Sequence, residues 1–106
     1  MSKITKELWE AKGRELFGDD QKDWVFVCPA CGNEESVTMV NRDHAADLQR
    51  LREADYRVEQ ECINRHLAPD QCNWCAYGLF RGPVIVDIGE GKDTAAFDFQ
   101  GRPFSK

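Results

Sequence analysis

The apolar residues of this chain change their spacing three times. Between residues 5 and 17 they recur at helical intervals: Trp9, Leu16 and Phe17 share one side, Leu8 lies at its margin, and Gly13 sits among them. Thr5 is a capping residue ahead of the run and Gly18 a stop behind it. The pattern predicts an N-terminal helix within residues 1–18. Gly13 costs such a helix roughly 1 kcal/mol relative to alanine, which points to another element coming close there. Asp19, Asp20 and Asp23 then form an acidic turn.

Over residues 24–40, "WVFVCPACGNEESVTMV", the spacing becomes alternating. Trp24 and Phe26 point one way and Val25 and Val27 the other. Pro29 and Gly32 supply a turn, and Val37 to Val40 reads as the return strand of a knuckle hairpin. From residue 43 to 67 the helical interval returns, through Leu48, Leu51, Val58 and Cys62, with Asp55 interrupting the stripe. The opposite face, Arg50, Glu53, Arg57 and Glu61, reads as solvated surface. One helix, or two with a break near Ala54, should end at Pro69. Residues 72–99 bring a second cysteine pair, then a strand from Tyr77 to Asp87 bent at Gly82 and Pro83. A turn at "IGEGKD" follows, then a closing strand from Ala95 to Phe99 with Phe97 and Phe99 inward and Asp98 outward. The last residues, "QGRPFSK", read as frayed. The fold class expected is α+β: one domain over residues 1–106, a small antiparallel sheet of the zinc-ribbon or treble-clef kind, and one or two packed helices.

Composition narrows the function. A chain of 106 residues builds a modest core, and a staple would help it. No apolar run is long enough to cross a membrane, and the N-terminus lacks the apolar segment and cleavage site of a signal peptide. A cytoplasmic location is expected, in a bacterial host. There cysteine pairs bind metal or do redox work rather than form structural disulfides.

Cys28 and Cys31, in "CPACG", form one Cys-x-x-Cys pair, and Cys72 and Cys75, in "CNWCAYG", form another. A tight turn delivers two thiolates to one ion, and zinc takes four such ligands at the corners of a tetrahedron. A structural Zn2+ is therefore expected. A redox pair is the weaker reading, since "CGNEESV" leads on to a strand rather than opening a helix. A zinc deaminase needs a His-x-Glu that is absent here. Cys62 is the fifth cysteine. It reads either as a small apolar residue on the helical stripe or as a ligand competing for the fourth place. His66, four residues on, would share a helical face with it. His44 reads as a residue near a helix start.

The net charge of −5 falls to about −7 once four thiolates and a zinc are included. Phosphate backbones repel such a chain on average, so nucleic-acid binding is disfavoured, although Arg50, Arg52, Arg57, Arg65 and Arg81 could cluster, with Trp24, Trp74 and Tyr77 as stacking surfaces.

The order "ELWEAKGRELFGDDQKDWVFVCPACG", "YRVEQECINRH", "CNWCAYGLF" and "AFDFQG" resembles a small phage- and prophage-associated, zinc-ribbon-like protein family of uncharacterised function. The resemblance covers most of the chain. It departs from the family pattern in one extra residue between Tyr56 and Cys62, and in "CINRH" where a glycine would follow Ile63. It implies a ligand at Cys62 and favours Cys72 over Cys75, which would make the set Cys28, Cys31, Cys62 and Cys72. Spacing alone prefers Cys72 with Cys75, and the choice stays open here. The resemblance implies a phage setting and no activity. No nucleophile is paired with a base and an orienting group at readable spacing, so no enzyme is expected. The function expected is protein interaction with a host or phage partner, of which inhibition of a host defence such as CRISPR is one form. The alternative is a zinc ribbon that binds nucleic acid or regulates transcription.

Overall fold

A computed structural model describes residues 2–77 and 83–101. The expected Tyr77–Asp87 strand therefore lies partly outside the described residues, as do Arg81, Gly82 and the end of the C-terminal tail. Among the described residues the fold is α+β, with two small three-stranded sheets and four α-helices. Strand β1 (Ser2–Thr5) runs into helix α1 (Lys6–Phe17). The Thr5 hydroxyl accepts the Leu8 N–H at 3.1 Å, and the Gly18 N–H closes the other end on the Arg14 carbonyl at 2.9 Å. Both ends of that helix lie where the sequence places them.

A short 3-10 turn, Gln21–Asp23, leads to β2 (Phe26–Val27), the cysteine turn and β3 (Glu34–Glu35). The return strand expected over Val37–Val40 is instead helix α2 (Val37–Asp43). The reason is local: the Ser36 hydroxyl accepts the Met39 N–H at 3.1 Å, and this cap turns the chain into a helix despite the β-branched Val37 and Thr38. The 43–67 segment is not one helix. A 3-10 turn, Ala45–Asp47, precedes α3 (Leu48–Glu53), which stops at Ala54, where a break was expected. Asp55 then adopts a left-handed backbone with φ 57°. A turn over Val58–Gln60, with the Gln60 and Glu61 N–H groups both on the Arg57 carbonyl, leads to a short bridged stretch at Glu61 and Cys62 before the short α4 (Asn64–Leu67). The final strands are β4 (Val84–Gly89), β5 (Lys92–Ala96) and β6 (Asp98–Phe99).

One sheet has the order β1-β4-β5. Its β1 and β4 are parallel, with Ile4 opposite Val86, and β4 and β5 form an antiparallel hairpin. The second has the order β3-β2-β6, antiparallel throughout, with Phe26 opposite Phe99. Phe97 lies between β5 and β6 and so links the two sheets.

Trp9, Phe17, Trp24, Phe26 and Phe99 form one aromatic cluster with ring centroids 5.0–6.1 Å apart. These separations suit edge and offset packing. Gly13 is where that cluster meets α1: a Cβ there would lie 2.6 Å from the Trp24 ring. The indole N–H of Trp24 donates to the Gly18 carbonyl at 2.9 Å, so the same side chain also ties down the C-terminal end of α1. Leu16 packs on this core too, whereas Leu8 is exposed. Asp98, expected outward, is buried together with Phe97 and Phe99, because the β5–β6 junction is covered on both faces. Among the described residues no helix is long and apolar enough to cross a membrane.

Candidate metal centre

The turn after β2 is built around Cys28. The Cys28 N–H donates to the Asn33 carbonyl and the Gly32 N–H to the Cys28 carbonyl, both at 2.9 Å. Gly32 sits at φ 79°, a backbone that suits glycine and closes the turn. Backbone N–H groups of Cys31 and Ala30 point at the Cys28 sulfur, and that of Asn33 points at the Cys31 sulfur. Donors aimed at sulfur stabilise thiolates, as a metal-binding knuckle requires.

The other two ligands come from a second local structure. The chain at Gln60–Cys62 pairs antiparallel with Trp74–Ala76: the Cys62 N–H donates to the Trp74 carbonyl at 3.1 Å and the Ala76 N–H to the Gln60 carbonyl at 2.7 Å, with Glu61 opposite Cys75. The Asn64 N–H points at the Cys62 sulfur. Cys72 ends the turn after α4, its N–H on the Ala68 carbonyl at 3.4 Å.

These elements bring four sulfurs together. Cys28 Sγ is 3.8 Å from Cys72 Sγ, Cys31 Sγ is 3.6 Å from Cys62 Sγ, and all four lie within 4.8 Å of one another. A tetrahedral ion with metal–sulfur bonds of about 2.3 Å requires sulfur–sulfur edges of about 3.8 Å. The four sulfurs thus fit one metal ion, and an all-thiolate donor set is consistent with zinc.

Cys75 stands outside the group. Residues opposite one another in an antiparallel pair project to the same face and alternate along the strand. Cys75 therefore shares the face of its partner Glu61, while Cys62 projects to the other. Of the two sets left open by the sequence, the structure assembles Cys28, Cys31, Cys62 and Cys72.

His66 is also placed elsewhere. Its Nε2 lies 3.0 Å from Glu61 Oε1, and its ring packs edge-on against Tyr56. Glu61, read from sequence as solvated, is a buried carboxylate. It accepts the Tyr77 hydroxyl, lies 3.9 Å from Arg65 Nε, and reaches the Arg57 N–H at 3.4 Å. The signal that could have found it is the pairing of the "QEC" and "WCA" segments, which forces alternate residues inward. His44 caps the end of α2, and its Nε2 lies 3.6 Å from Glu35 Oε2.

Electrostatics divide the sulfurs. Burial pushes the Cys28 thiol up to about 11, against the backbone donors from Cys31 and Ala30. Burial likewise raises Cys62. At Cys31 the desolvation is outweighed by the Asn33 N–H and the neighbouring thiols, and its pKa falls. Without metal, the buried thiols are neutral near pH 7, so capture of a divalent ion releases protons.

A family model described as VVA0879-like matches residues 5–100, and the chain belongs to that family. No curated protein and no solved structure matches the chain.

Proposed function

We propose that this protein is a small, acidic, non-enzymatic interaction module whose fold is stapled by a structural zinc on Cys28, Cys31, Cys62 and Cys72. The observation that supports the zinc is the sulfur geometry: edges of 3.6 and 3.8 Å, with backbone N–H groups directed at the sulfurs. Four protein thiolates leave no open position for substrate, which is the arrangement of a structural rather than a catalytic zinc.

The interaction reading rests on the surface. Asp19, Asp20, Asp23, Glu53 and Asp55 are all exposed, and the net charge is −5. Glu61 belongs to the interior rather than to this surface. Among the described residues, several arginines are tied to neighbouring groups of the chain. Arg50 donates to the His66 carbonyl at 2.6 Å, Arg65 to the Asn73 carbonyl at 2.8 Å, and Arg42 to Asp43. Trp24 is buried and Trp74 packs on the core, so neither is a stacking platform for bases. The partner is a host or phage protein with a basic face, in the setting that the phage-associated resemblance implies, and interference with a host defence that uses a basic nucleic-acid groove follows from the same chemistry.

The test is a tagged pull-down from infected and uninfected host lysate, with and without nuclease. Capture of a protein that survives nuclease, and that is lost when Asp19, Asp20, Glu53 and Asp55 are reversed to lysine, supports the proposal. Recovery of nuclease-sensitive material alone overturns it in favour of nucleic-acid binding. The zinc is tested separately by native mass spectrometry, which should show one zinc in place of about two protons.

A further inference from the structure

The four clustered sulfurs differ in access. Cys28 and Cys62 are each 2% exposed and Cys72 is half-buried, whereas Cys31 is exposed at the tip of its turn, flanked by exposed Pro29, Ala30 and Gly32. The sulfur nearest to it across the cluster is Cys62, at 3.6 Å. An accessible sulfur beside a buried second thiol is the arrangement of a redox-responsive cysteine with its resolving partner. Resting on the zinc reading above, we propose that Cys31 is a peroxide-modification site through which the metal centre opens, with Cys62 as the resolving cysteine.

The step balances with hydrogen peroxide as oxidant and two protons from solvent. The Cys31 thiolate attacks the peroxide, an S–O bond forms, the O–O bond breaks, and the departing hydroxide leaves as water after taking a proton. Cys62 sulfur then attacks Cys31 sulfur. An S–S bond forms, the S–O bond breaks, and a second water leaves. Two thiolates are oxidised by two electrons and one peroxide is reduced to two waters.

The sulfurs must close from 3.6 Å to about 2.05 Å. Cys62 is held by its N–H on the Trp74 carbonyl, so the displacement falls on the exposed Cys31 turn. Only Cys28 and Cys72 then remain as thiolates, and two ligands do not retain a zinc that needed four. Reduction by a thiol restores the site. Cys75, despite its Cys-x-x-Cys spacing from Cys72, faces Glu61 and takes no part.

The experiment uses the full chain loaded with zinc and titrated with hydrogen peroxide. A chromogenic chelator reads zinc release, and non-reducing peptide mapping after alkylation locates the bond. The expected result is loss of the zinc with a Cys31–Cys62 linkage as the main disulfide at half release. Cys75→Ser should change the release rate by less than about twofold. A Cys72–Cys75 or Cys28–Cys72 linkage appearing first overturns the proposal, as does zinc retention at peroxide levels that oxidise free glutathione. The same titration on reduced, zinc-free chain separates the two readings. A Cys31–Cys62 linkage formed first in a chain that binds no zinc supports the modification site and overturns only the metal.

Discussion

Serine replacements at Cys62 and Cys75 should have opposite consequences although the two residues are 13 positions apart on paired segments. A structural zinc contributes about 10–16 kcal/mol of apparent binding free energy. Shared over four ligands, each thiolate accounts for roughly 2.5–4 kcal/mol, a loss of about a hundredfold to a thousandfold in zinc affinity. Cys62 adds a second penalty, because it is 2% exposed within the aromatic core and serine would bury a hydroxyl there at a cost of about 1–3 kcal/mol. Cys75 is half-buried on the Glu61 face and outside the sulfur group, so Cys75→Ser should stay within about 0.5 kcal/mol of the parent. Competition against a chromophoric chelator measures the affinity, and thermal melts with and without chelator measure the coupling to the fold. The parent and Cys75→Ser should lose most of their stability on chelation, while Cys62→Ser should already be near that lower value. Retention of zinc by Cys62→Ser together with its loss by Cys75→Ser would refute the alternation argument that separates the two sulfurs.

Three further outcomes are expected. Gly13→Ala should destabilise the chain, because a Cβ 2.6 Å from the Trp24 ring meets a side chain fixed by its bond to Gly18; overpacking of about 1–3 kcal/mol less a helix-propensity gain of about 1 kcal/mol leaves a net loss of up to about 2 kcal/mol, and the melting temperature should fall by up to roughly 10 °C. Glu61→Ala should cost about 2–4 kcal/mol in denaturant unfolding, since it removes the shared acceptor of His66 and Tyr77, and Glu61→Gln should recover at least half of that. Stability should respond to pH in opposite senses with and without zinc. In the metal-free chain Cys28 titrates from 9.0 when unfolded to about 11 when folded, so its contribution is complete below pH 9 and is lost as pH rises toward 11; in the zinc form protons compete for the thiolates, and chelator-detected zinc loss should increase as pH falls.

Local chemistry was legible in the sequence and long-range pairing was not. Thr5, Gly18, the "CPACG" turn and the close approach at Gly13 are decided within a few residues, and the structure places each as read. Ser36 shows the limit of that logic. Val37 and Thr38 favour a strand, but one capping hydroxyl on the Met39 N–H carries the segment into α2. Strand β1 had no local signature at all, since its partner β4 lies about eighty positions away and supplies the hydrogen bonds. Glu61 looked solvated because the helical period was continued through residues 58–62; with a turn over 58–60 and a bridge at Glu61 in place of a helix, the same carboxylate turns inward beneath His66 and Tyr77. The choice between Cys62 and Cys75 depended on the same error, for on a continuous helix neither residue has a defined relation to the first cysteine pair.

That non-helical 58–62 segment also explains what a metal ion would do at this point of the fold. The two sheets are separate hydrogen-bonded units, and their shortest connection in sequence is Phe97 between β5 and β6. The segment bridges them from the other side: the Phe97 N–H donates to the Glu59 carbonyl at 2.7 Å, and the Gln60 amide bonds Thr94 and Ala95 along the outer edge of β5. Those bonds protect an edge strand, but they do not attach the segment to the β2–β3 turn. The four sulfurs do, because Cys28 and Cys31 come from that turn and Cys62 and Cys72 from the bridging segment and its partner. A single ion on them would close loops of some thirty to forty-five residues, where chain entropy opposes folding most and a small core offers least in return. The metal-free chain should accordingly fail first at this junction. Hydrogen exchange with and without chelator can check this: the amides of Cys28, Gly32, Cys62 and Ala76 should lose protection before those of the β4–β5 hairpin, and simultaneous loss in both regions would mean that the sheets, rather than the sulfurs, set the cooperativity of the fold.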